Sequence, residues 1–205
     1  MPLFRIERAV VGALIELLGG VNTTKVLLRV VWGHLSYYPF KDLGKAQDSG
    51  EKLARAHVRD ALILYRALSG AGVAEAHNVF ERVMTIGAQT FLHGAIGIID
   101  RQRYQDSTQL QRSHWISGLI DLFPNATATI VETSDTRVAF SVTRCRYVEL
   151  ALAAGHPEIT KTFCAGDAAF FESQPAGIAF NRSISIAEGE SHCPFELTLI
   201  QDDKR

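Results

Sequence analysis

The sequence predicts an α+β fold, in which a helical N-terminal half packs on an antiparallel sheet formed by the C-terminal half. Apolar residues recur at helical spacing through the first half of the chain. Near residue 125 the period changes to the alternation of strands, and two pairs of strand-like runs follow, each joined by a polar turn. We expect a single domain over residues 1–205, with a mainly helical part over 1–124 and a β-rich part over 125–205.

The N-terminal half reads as helices separated by glycines. In the stretch EKLARAHVRDALILYRAL, the positions at helical spacing are Leu53, His57, Leu64 and Leu68. The stretch VAEAHNVFERVMTIGAQTFLHGAIG repeats this pattern. Residues 22–24 (Asn-Thr-Thr) have the composition of a helix start, and Gly70 and Gly72 that of a helix stop. His57 has apolar neighbours, which favours a hydrogen-bonded histidine in the core.

The C-terminal half alternates strands with one clear helix. ATATIVET and RVAFSVT flank the turn SDT, CRYVELALAAG reads as a helix, and GIAFNRSISI and CPFELTLI form the last hairpin. Strand alternation places Arg182 on an apolar face, where a guanidinium keeps its charge and needs an anionic partner. The same alternation turns Cys193 inward.

Composition limits the classes of partner. The 205 residues are 47% hydrophobic and 21% charged, as in a compact globule, and the net charge of -1 comes without a basic block. We therefore expect no nucleic acid as a partner. The apolar stretch AVVGALIELLGGV is interrupted by Glu16 and is too short to span a bilayer, so we expect no membrane partner. Homo-oligomerisation through the helical half is one arrangement that such a chain allows.

The three cysteines bear on both location and chemistry. An odd number does not form a closed disulfide framework, which favours the cytoplasm and free or metal-bound thiols. Cys145 begins a predicted helix beside Arg144 and Arg146, a setting that stabilises a thiolate. Cys164 lies three residues before Asp167. Each cysteine alone is typical of a small buried hydrophobe, but together with Asp167, Arg182 and His192 they suggest one site.

Three ordered motifs resemble the L-2-amino-thiazoline-4-carboxylic acid hydrolase family. They are FSVTRCRYVELALAAGHPEI, FCAGDAAFF and GIAFNRSISIAEGESHCPFEL, over about residues 138 to 199. Pro194 stands where the family usually has an acidic residue. The resemblance implies hydrolytic ring opening of a cyclic isothiourea, in which water adds to the carbon between the ring sulfur and the nitrogens. Loss of sulfur from that carbon then gives N-carbamoyl-L-cysteine.

The resemblance implies a site built from Cys145, Cys164, Asp167, Arg182 and Cys193. Asp167 would be the general base or the carboxylate that binds the amidine. Arg182 or Arg144 would hold the substrate carboxylate, with Tyr147 as a further binding residue. Loss of Cys164 or Asp167 should then abolish turnover.

Two mechanisms stay open for the thiols. Cys164 or Cys145 is a nucleophile, or a zinc ion activates water. The zinc ligands would come from the set Cys145, Cys164, Cys193 and His192, or from the three cysteines with Asp167. A more distant resemblance to vinyl-reductase-type ligand domains gives a non-enzymatic alternative, a small-molecule-binding or sensing domain with a structural cysteine-ligated metal and no catalysis.

Overall fold

The computed structural model describes residues 3–200 and confirms the α+β class. Seven α-helices and four strands follow one another as α1 (Leu3–Ser36), α2 (Ser49–Gly70), α3 (Ala76–Ala95), α4 (Arg101–Gln105), α5 (Gln109–Asp121), β1 (Ala126–Thr133), β2 (Arg137–Cys145), α6 (Arg146–Ala153), α7 (Thr162–Glu172), β3 (Ile178–Asn181) and β4 (Cys193–Leu199). All described strands lie after residue 125, where the sequence period changes. Helices from the two parts pack together, α3 against α7 and α2 against α6.

The four strands form one antiparallel sheet in the order β1-β2-β4-β3. The first two strands match the predicted runs, and Cys193, Leu197 and Leu199 of β4 are buried, which confirms the predicted inward face. The strand predicted over GIAFNRSISI is shorter than expected and ends at Asn181. Beyond it the chain leaves the sheet, so Arg182 lies after the strand, and a single 3₁₀ turn follows at Ile186–Glu188.

The predicted helix start at residues 22–24 is wrong, because α1 continues through them. Its only break is at Gly19, whose backbone has φ 71° and ψ 166°, a conformation that glycine adopts readily. The Thr24 hydroxyl donates a hydrogen bond to the Gly20 carbonyl at 2.9 Å, and the Asn22 amide donates to the Leu18 carbonyl at 3.3 Å. These side chains therefore bond backward along the helix instead of capping it.

Helix α2 begins and ends at identifiable signals. The Asp48 carboxylate caps the helix by accepting a hydrogen bond from the Glu51 N–H at 2.8 Å. The helix ends at Gly70, and Gly72 has φ +72°, as the predicted stop requires. The predicted apolar face is only half right, because Leu64 and Leu68 are buried whereas Leu53 and His57 are exposed. Alanines and Val58 form the inner face near the helix start, where α6 packs.

Helix α1 is more apolar and longer than the sequence pattern suggested. Among residues 3–200, one segment, Arg5–Leu43, is long and apolar enough by length and composition to cross a membrane. Its most apolar window has a mean hydropathy of 1.4, and 22% of that window is buried in the fold. The core helices of soluble proteins and signal sequences also meet this criterion.

Candidate functional site

The glycine between Cys164 and Asp167 has a packing role. A Cβ atom at Gly166 would lie 2.3 Å from the Ala88 Cβ, so only glycine allows α7 to approach α3 this closely. Cys164 and Asp167 are three residues apart and lie on a common side of α7, away from this contact. The side of α7 with Gly166 and Phe170 is therefore the face that packs, and the two reactive groups lie on the other side.

Arg182 joins this face of α7 to the end of β3. Its Nη1 donates a hydrogen bond to Asp167 Oδ2 at 2.9 Å, and its Nη2 donates to the Cys164 carbonyl oxygen at 3.0 Å. The guanidinium also lies over the rings of Phe195 and Phe180, at 5.2 and 5.7 Å. Only 13% of the Arg182 side chain is exposed. The prediction that Arg182 needs an anionic partner is thus confirmed, and Asp167 is that partner.

Asp167 is held in a state unusual for an aspartate. Desolvation by the surrounding protein raises its pKa to about 6, and this effect outweighs the opposing attraction of Arg182. The side chain nevertheless keeps 30% of its surface open to solvent, so water reaches the carboxylate. Within residues 3–200, Oδ1 makes no hydrogen bond. Asp167 therefore has an occupied oxygen facing Arg182 and an oxygen available to a ligand.

The three thiols lie around this ion pair. Electrostatic interactions link Cys164 with Arg182, Asp167 and the other two cysteines, and link Cys145 with Cys193 and Asp167. Cys193 is buried, and its Sγ accepts a hydrogen bond from the Ile186 N–H at 3.2 Å. We call the set Cys145, Cys164, Asp167, Arg182 and Cys193 the thiol–carboxylate cluster. Electrostatic interactions thus link five of the six residues that the sequence suggested as one site.

The thiolate predicted at Cys145 is wrong. Burial raises the pKa of the Cys145 thiol, and this outweighs the opposing influence of the nearby backbone N–H groups of Val148 and Tyr147. The neighbouring arginines do not help, because Arg144 pairs with Glu149 and Arg146 pairs with Asp48. Burial likewise raises the pKa of Cys164 to about 12. Both thiols are therefore protonated at neutral pH.

Arg144 does not join the cluster. Its Nε donates to Glu149 Oε1 at 2.7 Å and its Nη2 to Glu149 Oε2 at 2.8 Å. The Arg144 side chain is also 44% exposed. Its alternation with Cys145 along the end of β2 turns it to the opposite side of the strand. Of the two arginines predicted to bind a substrate carboxylate, only Arg182 is in place.

The structure does not assemble the predicted zinc ligands Cys145, Cys164, Cys193 and His192. Within the described part of the chain, no group of three or more His, Cys, Asp or Glu side chains is arranged to hold a metal ion. His192 Nδ1 is within hydrogen-bonding distance of Ser191 Oγ, at 3.1 Å. The cluster as it stands does not fit a zinc site.

A histidine–tyrosine pair adjoins the cluster, and sequence reasoning missed half of it. Tyr147 Oη lies 2.7 Å from His57 Nδ1. Burial, with smaller contributions from Cys145 and Asp167, raises the pKa of Tyr147, while desolvation lowers the pKa of His57. His57 is therefore a hydrogen-bonded but exposed residue at the edge of the site, and not a core residue. No local sequence signal joins two residues 90 positions apart.

The cluster does not coincide with either of two open grooves on the surface. One open groove of about 440 Å³ is lined by Gln109, Arg112 and residues 130–135. A second, of about 400 Å³, lies beside α1. Neither contains a residue of the thiol–carboxylate cluster. The desolvated ion pair, and not groove volume, therefore marks the candidate site.

The fold and this site define a class of protein, an α+β protein with a largely desolvated ion pair between Asp167 and Arg182. The family model of L-2-amino-thiazoline-4-carboxylic acid hydrolase matches residues 46–197. The chain belongs to this family, which confirms the resemblance found in the motifs. The matched residues include the whole thiol–carboxylate cluster, whereas α1 precedes them.

Solved structures and curated proteins give weaker similarities than the family model does. The chain is similar to two crystal structures of Fe(II) unliganded H-NOX proteins from K. algicida, one of them a mutant. The mutant has 11% identity and a TM-score of 0.42, with 97% of this chain and 96% of that chain covered. The other has 11% identity and a TM-score of 0.41, with 98% and 97% covered. No curated protein gives a match. Likenesses at this level carry no functional argument.

Proposed function

We propose that this protein is a hydrolase that opens a small cyclic isothiourea carboxylate, of the 2-amino-thiazoline-4-carboxylate type. The family to which the chain belongs carries this activity in its name. The observation that carries the proposal is the Asp167–Arg182 pair, in which a carboxylate with a pKa near 6 keeps one oxygen open to solvent. A general base with a pKa close to the working pH is well matched to proton abstraction from water.

Substrate binding follows from charge complementarity. A thiazoline acid with a protonated ring nitrogen carries an anionic carboxylate and a cationic amidine. Arg182 binds the carboxylate in a two-pronged manner, at a modest cost in its bond to the Cys164 carbonyl. The open oxygen of Asp167 faces the amidine. The substrate thus supplies each member of the ion pair with a second partner of opposite charge.

The proposed step consumes one water molecule. Asp167 takes a proton from water as the water oxygen bonds to the carbon between the ring sulfur and the nitrogens. The bond from this carbon to sulfur then breaks, and its electron pair stays on sulfur. Sulfur takes the proton back from Asp167 and becomes a thiol. The hydroxyl proton of the adduct leaves to solvent, which balances the proton that the ring nitrogen carried in the substrate. The carbon retains its two nitrogens and gains a carbonyl oxygen, which gives an N-carbamoyl cysteine.

The thiols of the cluster act in their neutral form in this proposal. Cys164, with a pKa raised to about 12, is a weak nucleophile at neutral pH but an effective desolvating wall for Asp167. In this proposal Tyr147, which is hydrogen-bonded to His57, donates to a ring heteroatom. No step is routed through a metal, because the cluster as arranged does not fit one.

The second candidate function is binding without turnover. The observation that favours it is the neutral state of the thiols, since Asp167 would then be the only base in the cluster and the ion pair would serve recognition alone. A sensing or carrier protein needs the same complementary charges. Binding with no product would separate this candidate from the hydrolase.

Incubation with 2-amino-thiazoline-4-carboxylate, followed by mass spectrometry, tests the proposal. We expect a product one water heavier than the substrate, together with one new thiol that reacts with a chromogenic disulfide. Isothermal calorimetry on the same protein measures binding independently of turnover. Heat of binding without product would overturn the hydrolase proposal in favour of the second candidate, and absence of both would overturn the substrate class.

Arg144→Gln is the matched control for Arg182→Gln. Both changes remove a guanidinium that the sequence made a candidate for carboxylate binding. Because Arg144 pairs with Glu149 at the surface, we expect its loss to leave KM unchanged, whereas loss of Arg182 should raise KM at least tenfold. Equal effects of the two changes would contradict the assigned role of Arg182.

A further inference from the structure

Five large apolar side chains of α1 are left without cover by the fold. They are Val21, Leu28, Val31, Trp32 and Leu35, with exposed fractions between 61% and 74%. We call this set the apolar stripe. At 100° per residue, Val21, Leu28, Trp32 and Leu35 fall on one side of the helix. The opposite side, with Thr23 and Val26, is buried in the core. Helix α1 is thus apolar on both its inner and its outer face, which an ordinary surface helix is not.

The charges beside the apolar stripe are all positive. Lys25 and Arg29 lie along one border of the stripe and are exposed. Residues 21–36 contain no aspartate or glutamate. Among residues 3–200, neither Lys25 nor Arg29 forms an ion pair. The arginines of residues 125–200, by contrast, form ion pairs with acidic side chains, as Arg182 does with Asp167. Unpaired cations beside exposed apolar residues call for an anionic, apolar partner.

A groove runs between these cations and the apolar stripe. It has a volume of about 400 Å³ and is lined by Lys25, Leu28, Arg29, Trp32 and Ala71. The absence of a side chain at Gly70 makes room for Arg29, since a Cβ there would lie 2.8 Å from its Nη1. The groove offers two cations on one side and an indole with a leucine on the other. This combination fits a phospholipid, whose phosphate and acyl chain present the complementary pair of surfaces.

We propose that the apolar stripe docks this protein on an anionic membrane surface, with α1 lying in the plane of the interface. Lys25 and Arg29 contact lipid phosphates, and Leu28, Trp32 and Leu35 enter the boundary between headgroups and acyl chains. Spanning is disfavoured because the inner face of α1 is part of the core and its burial would be lost. A second copy of the chain is disfavoured because pairing two stripes would gather four cations and no anion.

Vesicle co-sedimentation of the full chain tests the proposal. We expect binding to phosphatidylcholine vesicles that contain about 30% phosphatidylglycerol, and much weaker binding to pure phosphatidylcholine. Each cation near an anionic surface contributes about fivefold, so the double change Lys25→Gln/Arg29→Gln should weaken binding on the order of 20-fold. Arg103→Gln, which removes an exposed cation of α4, is the matched control and should bind as the unmodified protein does.

The two tryptophans supply a second readout that does not depend on the charge changes. In Trp115→Phe, Trp32 is the sole tryptophan, and its fluorescence should shift to shorter wavelength when anionic vesicles are added. In Trp32→Phe, the remaining Trp115 lies in α5 against Tyr104 and should show no shift. Leu28→Ser should abolish binding, whereas Leu110→Ser, which changes an even more exposed leucine outside the stripe, should not.

Three results would overturn the proposal. One is equal sedimentation with anionic and neutral vesicles, or with neither. Another is a concentration-dependent dimer in analytical ultracentrifugation that is absent in Leu28→Ser. That result would assign the stripe to contact with a second copy of the chain. The last is membrane association that resists extraction by alkaline carbonate, which would assign α1 to a spanning segment. None of these results bears on turnover of the thiazoline acid, so the two proposals fail separately.

Discussion

Two aspartate–arginine pairs occupy different depths of the molecule, and their carboxylates respond in opposite ways. Asp48 pairs with Arg146 at the start of α2, at 2.5 and 2.6 Å, and its side chain is 48% exposed. Asp167 pairs with Arg182 inside the thiol–carboxylate cluster. Hydrogen bonds from Arg146 and the Glu51 N–H lower the pKa of Asp48, whereas desolvation raises that of Asp167 to about 6.

This difference shows that the ion-pair partner alone does not set the pKa of a carboxylate. Both pairs consist of the same two side chains in good geometry. Asp48 keeps its water and gains bonds that favour the charged form, so the pair acts as a cap and a tether between α2 and α6. Asp167 loses water on most sides, and a single bond from Arg182 does not restore what is lost. The first pair supports the fold, and the second contains the acid with a raised pKa that the proposed mechanism uses as its base.

The largest expected effect comes from removing each carboxylate in turn. Asp167→Asn should lower turnover of the thiazoline acid by about 10²- to 10⁴-fold, because an amide cannot accept a proton from water. Asp48→Asn should leave turnover unchanged and lower the midpoint of thermal unfolding, because the ion pair is lost while the cap oxygen stays. Steady-state kinetics and circular dichroism measure both. Loss of turnover in Asp48→Asn, or retention in Asp167→Asn, would reverse the assignment.

The next effect sharpens the comparison by asking whether the thiols share the desolvation of Asp167. With its pKa raised to about 12, Cys164 should react with iodoacetamide at least tenfold more slowly at neutral pH than the same cysteine in urea-unfolded protein. Quenched samples analysed by peptide mass spectrometry give the rate for each cysteine. Rapid, selective alkylation of native Cys164 would restore the nucleophile mechanism.

The pH dependence of kcat/KM should respond to changes in the Asp167–Arg182 pair and not to changes in the Asp48–Arg146 pair. The proposed base must be ionised, so kcat/KM should rise with pH through a midpoint near 6 and then level off. Arg182→Gln should move that midpoint upward, because Arg182 lowers the pKa of Asp167. Asp48→Asn should leave it in place. A midpoint that does not respond to Arg182→Gln would show that another group controls the rate.

The free energy of unfolding gives the same contrast independently of catalysis. The folded pKa of Asp167 is raised from 3.8 to about 6, so its contribution to stability falls as the pH rises through this window. The folded pKa of Asp48 is lowered, so its contribution is present above its unfolded pKa of 3.8 and is lost as the pH falls below that value. Each contribution is the difference in free energy of unfolding between the unmodified protein and the Asn variant, measured by denaturant unfolding across this pH range.

The smallest effect tests the edge of the cluster. Tyr147→Phe removes the hydrogen bond to His57 without disturbing the contact between the Tyr147 ring and Phe163. We expect turnover to fall several-fold, in line with the loss of one hydrogen bond of about 1 kcal/mol. His57→Phe should produce a similar change if the pair acts together. Additive losses in the double variant would contradict that coupling.

Some of the site could be predicted from particular residues. Strand alternation and the cost of burying a guanidinium led to an anion beside Arg182. Helix α7, which puts Cys164 and Asp167 on one side, was not predicted from the sequence. The pKa directions could not be predicted, because burial depends on every neighbour. The expected Cys145 thiolate failed for this reason, since Glu149 and Asp48 occupy the arginines that were to stabilise it.

The sequence by itself determined the α+β class, the change of period at residue 125, the family and the identities of the cluster residues, because local periodicity and motif order are properties of the chain. Only the tertiary structure decided that Arg144 faces outward, that His57 meets Tyr147, and that α1 leaves an apolar stripe uncovered. Solvation and contacts between distant residues arise from packing in three dimensions. An aspartate–arginine pair therefore has a lowered aspartate pKa at the surface and a raised one inside the cluster.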